Sequence, residues 1–372
     1  MSTTLNRRAI LGAALAAPLV KALAQEGPKT APPAPAAGSA AGAPPRMRIP
    51  MPGSQPPLKA AVDYEQLRLQ RMAEVDEETR YINLPLTERP PPEHMPDPNV
   101  LAPGIKAFNI VIPGPAGKIP MRIYMPDKVT KPIGLYLHTH GGGWAAFSGL
   151  VGFDTENSNY ARDWQCAVAQ PDFRVSWDAK FPAAVDDCFA AYRYILDHAH
   201  ELGINKTKIG IGGGCTGANL ATVVSLMARD AGLQKPAIQW LWSGDFDTRN
   251  DTQSYEEFAN YSLTLGIAEA VTRLYLRSKE DTYDWRSSPI LAPTLKGLSP
   301  ALVWAGEWEV LRDENRMYVN RMRDVGVDVT YFEGPKQPHG GIYARNKSGE
   351  HTKYARETLP KINSIMRRYI GT

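Results

Sequence analysis

The chain has 372 residues, 43% of them hydrophobic, with 42 Lys and Arg against 39 Asp and Glu and a formal charge of +3. This supplies the core of one large domain or two small ones and excludes a fibre, a membrane bundle and a wholly disordered chain.

The first 24 residues read as a targeting segment. In "NRRAILGAALAAPLVKALA" the pair Arg7 and Arg8 precedes an apolar run from Ala9 to Val20, then Lys21 and the small-residue sequence Ala22-Leu23-Ala24. This is the pattern of a twin-arginine export signal cleaved after Ala24, and its apolar run is too short for a comfortable membrane span. A mature protein in a bacterial periplasm or outside the cell is expected. The segment holds Arg7, Arg8, Lys21 and no acid, so its removal takes the formal +3 to zero. A near-neutral surface gives no electrostatic ground for binding nucleic acid or an anionic membrane, which leaves a small molecule as the expected partner.

Residues 25 to 57 are rich in Pro, Ala and Gly and predict a tether with little to bury. A helical stretch, "KAAVDYEQLRLQRMAEVDEE", follows at 59–78, and a Pro-rich passage at 90–103. Beyond it strands alternate with helices. "IGLYLHT" (133–139), "CAVAQPDF" (166–173), "KIGIG" (208–212), "AIQWLWS" (237–243), "ALVWAG" (301–306) and "VDVTYFEG" (327–334) are short, apolar and nearly uncharged. The clearest helix, "AAVDDCFAAYRYILDHAHEL", puts Val185, Phe189, Tyr192 and Leu196 on one face, and the next puts Leu220, Val223, Val224 and Met227 on one face. Such alternation implies an α/β fold with a mostly parallel sheet covered on both sides. The stretch 244–297 is aromatic and too long for a crossover, and reads as a lid over the carboxyl ends of the strands, joined by the 58–100 region.

Three motifs carry the chemistry. In "IGIGGGCTGANLA" (209–221), Gly213 and Gly217 flank Cys215 at the apex of a strand-to-helix turn. Glycines are needed there because neighbouring backbone must approach a strained nucleophile closely, and the positive end of the following helix favours a thiolate. "HTHGGGW" (138–144) follows a strand and offers amides of Gly142 and Gly143 which, with that of Thr216, are positioned to bind an oxyanion. Glu309 in "AGEWEVLRDE" and His339 in "EGPKQPHGG" each lie just past a strand, completing the order nucleophile, acid, histidine. Glu307 and Asp313 are the alternatives for the acid.

Residues 100 to 370 resemble the hormone-sensitive-lipase-like branch of the α/β-hydrolases, the HGGG esterases. The resemblance rests on "HGGGW", "FPAAVDDCFAAYRYI", "GCTGANLA", "SPALVWAGEWEVLRDE" and "EGPKQPHGG", in that order. It implies a capped esterase with oxyanion donors at the HGGG glycines and a triad of Cys215, Glu309 and His339. The chain departs from the family's pattern in four ways. Cys215 stands for serine, Glu309 for the usual aspartate, Gly-Gly-Cys-Thr-Gly for Gly-Asp-Ser-Ala-Gly, and Gly340-Gly341 beside Pro338 for a glycine-aromatic pair.

A cysteine changes the substrate. A thiolate leaves a tetrahedral intermediate more readily than an alkyl alkoxide, so a good or tethered leaving group is expected: an aryl or enol ester, a thioester or a lactone. The alternatives are a lyase, dehydratase or isomerase using the same pocket, and a binding protein in which Cys215 is inert. Cys166 and Cys188 sit in apolar runs that predict packing roles. His138 and His140 form a His-x-His pair without a further ligand cluster, and His198 and His200 read as solvated helix residues, so neither metal nor cofactor is expected.

Overall fold

The structure is a computed structural model that describes residues 92–129, 132–346 and 348–372. The export segment, the tether and the 59–78 helix lie outside the described residues.

Eight strands form one sheet: β1 (Ile105–Gly114), β2 (Gly117–Pro126), β3 (Ile133–His138), β4 (Ala167–Pro171), β5 (Ile204–Gly214), β6 (Gln239–Trp242), β7 (Ala301–Gly306) and β8 (Val329–Gly334). Their order is β1-β2-β4-β3-β5-β6-β7-β8, with β1, β2 and β4 antiparallel neighbours and every pair from β4 to β8 parallel. The chain leaves β3 for β4 on one side and reaches β5 on the other. This reversal of winding direction opens a crevice at the carboxyl ends of the strands.

All six residues of β3 are buried. A strand covered on both faces must be apolar throughout, which is why it reads as a continuous run. Leu135 and Leu137 join a core that includes Val185 and Ile195 of α2 (Ala183–Asp197), Leu220 and Val224 of α3 (Thr216–Asp230), and Tyr318 of α6 (Arg312–Asp324). Tyr136 faces the other way, into a second core with Tyr160 and Trp164 of α1 (Asp154–Trp164) and Ile362 and Met366 of α7 (Lys353–Ile370). Cys166 and Cys188 are free, fully buried thiols in these two cores, and burial pushes both well above the usual thiol range.

The hairpin β1–β2 is absent from the strand pattern read in the sequence. Pro113, Pro120 and Pro126 interrupt its alternation, but Pro113 lies in the edge strand β1, where a missing N–H is tolerated, and Pro120 precedes the part of β2, Met121–Tyr124, that pairs with β4. Strand β5 also starts earlier than the apolar run 208–212: Ile204 pairs with Ile133, and the exposed Lys206 and Thr207 fall in an irregular stretch before the ladder resumes at Ile209.

In the 244–297 stretch, α4 (Gln253–Glu257) and α5 (Leu265–Tyr275) carry a third, smaller core. Tyr255, Phe258 and Ala268 pack there on Trp308, Val310 and Leu311, just beyond β7. The described end of the 58–100 stretch is held at the hairpin, where the carbonyl of His94 accepts from Asn109 and Arg122 and that of Pro92 from Asn109. Among the described residues no helix is long and apolar enough to cross a membrane.

Candidate active site

Cys215 joins β5 to α3 with φ 54° and ψ −129°, a backbone region that costs a non-glycine residue about 1–3 kcal/mol. The surrounding chain over-determines it. Its N–H donates to the Trp242 carbonyl (3.0 Å), and its own carbonyl accepts from the amides of Ala218 (3.0 Å) and Asp245 (3.2 Å). The flanking glycines are required by one neighbour: a Cβ at either Gly213 or Gly217 would lie 2.0 Å from the Thr139 carbonyl oxygen. The Thr139 hydroxyl in turn donates to the Gly217 carbonyl at 2.7 Å. The elbow is therefore clamped between the end of β3 and the end of β6.

Gly141, Gly142 and Gly143 lie against this elbow and share a cavity of about 510 Å³ with Cys215, Thr216 and His339. A Cβ on Gly141 would come 3.2 Å from the Cβ of Cys215. Gly143 has φ 64°, and a Cβ there would meet Val271 of α5 at 2.5 Å, so α5 packs directly on the glycine loop. Trp144 reinforces that contact: its N–H donates to the Thr216 hydroxyl (3.3 Å), and its ring stacks on Tyr275 at 4.2 Å between centroids.

His339, in the loop after β8, bonds through Nδ1 to Glu309 Oε2 at 2.8 Å. Glu309 is fully buried, and its other oxygen accepts from the Gly306 N–H (2.5 Å) and the Ser243 hydroxyl (3.1 Å). Of the three acids in that region, Glu309 is the one His339 meets. Glu307 accepts from the Lys336 amide, while Asp313 is bound to the Ser254 amide, Arg312 and Arg316. Burial opposes the charged imidazolium of His339, but the charge and hydrogen bond of Cys215, followed by those of Glu309, outweigh it and raise the imidazole to about 10. Cys215, His339 and Glu309 thus form one connected chain of groups.

Two side chains without a sequence signal belong to this arrangement. Ser243, with φ 45°, donates to Glu309 and accepts from the Gly340 amide at 3.3 Å, tying the acid loop to the histidine loop. Asp245 forms part of the cavity wall. His138 and His140 are both buried. The His138 ring bonds to Asn157 (2.7 Å) and Gln170 (3.0 Å), which fixes it as a structural hub, and burial lowers its imidazole. His140 stacks on Phe173 at 4.2 Å. The described residues contain no group of three or more metal-ligating side chains. His198 stacks on Tyr194, whereas His200 is exposed.

A mostly parallel eight-stranded sheet, a strained residue between strand and helix over the switch point, and a histidine and acid from the following strand ends define an α/β hydrolase. The chain belongs to that family: the alpha/beta hydrolase fold matches residues 136–342. It is 35% identical over 252 residues to the carboxylic ester hydrolase LipN of Mycobacterium tuberculosis, an overlap of 64% of this chain and 65% of that protein's length. It is 34% identical over 234 residues to an arylesterase of Saccharolobus solfataricus, covering 61% of this chain and 72% of the relative. Among solved structures, an arylesterase superimposes with a TM-score of 0.68 at 26% identity, over 85% of this chain and all of the other. A hyperthermophilic esterase from Pyrobaculum calidifontis gives 0.69 at 26% identity, over 84% and 98%.

Proposed function

We propose that this protein is an exported cysteine-dependent hydrolase of a small ester, thioester or lactone. The observation that carries the reading is the strained Cys215 in hydrogen-bonded series with His339 and Glu309, facing the same cavity as the Gly142–Gly143 loop. Similarity to carboxylic ester hydrolases and arylesterases supports the reaction class.

In this mechanism Cys215 Sγ attacks the carbonyl carbon and its proton resides on His339, whose orientation Glu309 holds through Nδ1. The tetrahedral oxygen is bound by the amides of Gly142, Gly143 and Thr216. Collapse breaks the bond to the leaving group, which departs with the proton from His339 or, where it is a stable anion such as a phenolate, leaves His339 to lose that proton to solvent. Water, deprotonated by His339, then attacks the acyl-cysteine and releases the acid. At collapse the Cys215 thiolate is expelled more readily than an alkyl alkoxide, so aryl esters, thioesters and lactones are the expected substrates rather than simple alkyl esters.

The test is intact mass spectrometry of residues 25–372 mixed with 4-nitrophenyl acetate, beside Cys215→Ala. An acyl adduct on the wild type alone, with turnover reduced about 10⁴-fold in the variant, is expected. Turnover persisting in Cys215→Ala would overturn the cysteine mechanism. Release of product without oxygen from labelled water would instead establish a lyase.

A further inference from the structure

One oxygen of a buried carboxyl in the cavity wall is left without a hydrogen-bond partner. Asp245 lies three residues past β6, and its amide donates to the Cys215 carbonyl at 3.2 Å, so it sits beside the elbow. Asp245 is 2% exposed, and its Oδ1 is buried with no hydrogen-bond partner in the protein. The groups around it are already engaged. Asp247 is paired with Arg249, and Glu314 accepts from the Phe246 amide and the Tyr255 hydroxyl. Folded proteins rarely leave a buried carboxyl unsatisfied, and such an atom in a pocket wall is one that a ligand satisfies.

We propose that Asp245 is a specificity-determining residue that accepts a hydrogen bond from a hydroxyl group of the substrate. The inference rests on the hydrolase reading of the Cys215 site. The donor is a neutral hydroxyl rather than an ammonium, because the lining above it is largely apolar and would do little to offset the desolvation of another ion. The roof supplied by Leu263, Ile267, Ala268 and Val271 is apolar. The substrate class is therefore a small, mainly apolar ester or thioester bearing one hydroxyl. Burial beside Asp247 raises the Asp245 carboxyl to about 7, which is consistent with a group that lacks partners until substrate arrives.

Two matched pairs test this by kcat/KM: 4-nitrophenyl butanoate against 4-nitrophenyl 3-hydroxybutanoate, and phenyl butanoate against 3-hydroxyphenyl butanoate. They place the hydroxyl on the acyl side and on the leaving-group side. Wild type is expected to prefer one hydroxylated member by roughly tenfold or more, mainly through KM. Asp245→Leu is expected to bring that ratio to about one, and the near-isosteric Asp245→Asn to retain part of it. Ratios near one for both pairs in the wild type, or a preference unchanged in Asp245→Leu, would sink the inference while leaving the hydrolase reading intact. So would a larger preference for 4-nitrophenyl 3-aminobutanoate. Absence of both turnover and acyl adduct with every ester rejects the hydrolase reading and this inference with it.

Discussion

Two buried charged side chains, Arg122 in β2 and Asp245 beyond β6, are treated oppositely by the fold. Arg122 is fully buried, and every face of its guanidinium is occupied: Asn109 Oδ1 at 2.9 Å, the Leu150 carbonyl and Asp154 Oδ1 at 2.7 Å each, and the His94 carbonyl. Asp245 is buried to nearly the same extent and has an oxygen bonded to nothing. Desolvating an ion is costly, and only hydrogen bonds and counter-charge offset it. Where the offset is complete, as at Arg122, the charge is architecture: it ties the hairpin edge to α1 and to the chain entering from residue 92. Where it is missing, and the group lines the cavity that also holds Cys215, the deficit is one that the proposed substrate hydroxyl would fill.

The contrast is broken most forcefully at Arg122. Arg122→Met strands Asp154 and several carbonyls, and a loss of about 3–5 kcal/mol in urea unfolding is expected. The activity per folded molecule should be largely unchanged, since Arg122 does not line the cavity. A loss below 1 kcal/mol would show that the pairing is not what holds the edge.

At Asp245 the sign reverses. The folded state holds its carboxyl at about 7 against an ordinary 3.8, so between those values the folded protein binds more protons than the unfolded chain. Stability contributed by the protonated group is therefore full below about pH 4 and declines as pH rises to about 7, above which the ionised carboxylate is a standing cost. Asp245→Asn is expected to stabilise the protein at pH 8 by on the order of 1–3 kcal/mol, and by much less at pH 4. An equal effect at both pH values would contradict the unsatisfied carboxylate.

The smallest effect concerns His339, whose partners Cys215 and Glu309 raise it to about 10. Its ring carbon shifts in NMR should report an imidazolium through pH 8, and Glu309→Gln should move the titration toward lower pH. A wild-type midpoint near the ordinary 6.5 would mean that the neighbouring charges are screened.

Much of this site is legible in the sequence because its parts are local. A strand, a glycine-flanked residue and a helix occupy consecutive positions, so the elbow at 213–217 is read directly, and the glycine run 141–143 and His339 are conspicuous for the same reason. Choosing Glu309 over Glu307 and Asp313 is not local. All three fall within seven residues of one another, and the choice is settled by the Gly306 amide and the Ser243 hydroxyl, the latter brought from the end of another strand. The β1–β2 hairpin is obscured because proline penalises a strand only where its missing N–H is needed for pairing, and where neighbouring strands pair is a property of the whole sheet.

Residue order and periodicity by themselves determined the alternation of strands and helices, the close backbone approach at the Cys215 turn and the succession of cysteine, acid and histidine, since each depends on spacing along one segment. Only the tertiary structure decided which polar groups are satisfied. Ser243 and Asp245 stand two residues apart in "WSGDFD", and nothing in that string distinguishes the one that supports Glu309 from the one left unpaired in the cavity. Burial and hydrogen bonding depend on what the remaining strands and the 244–297 stretch bring to within about 3 Å, and that proximity exists only once the chain has folded around them.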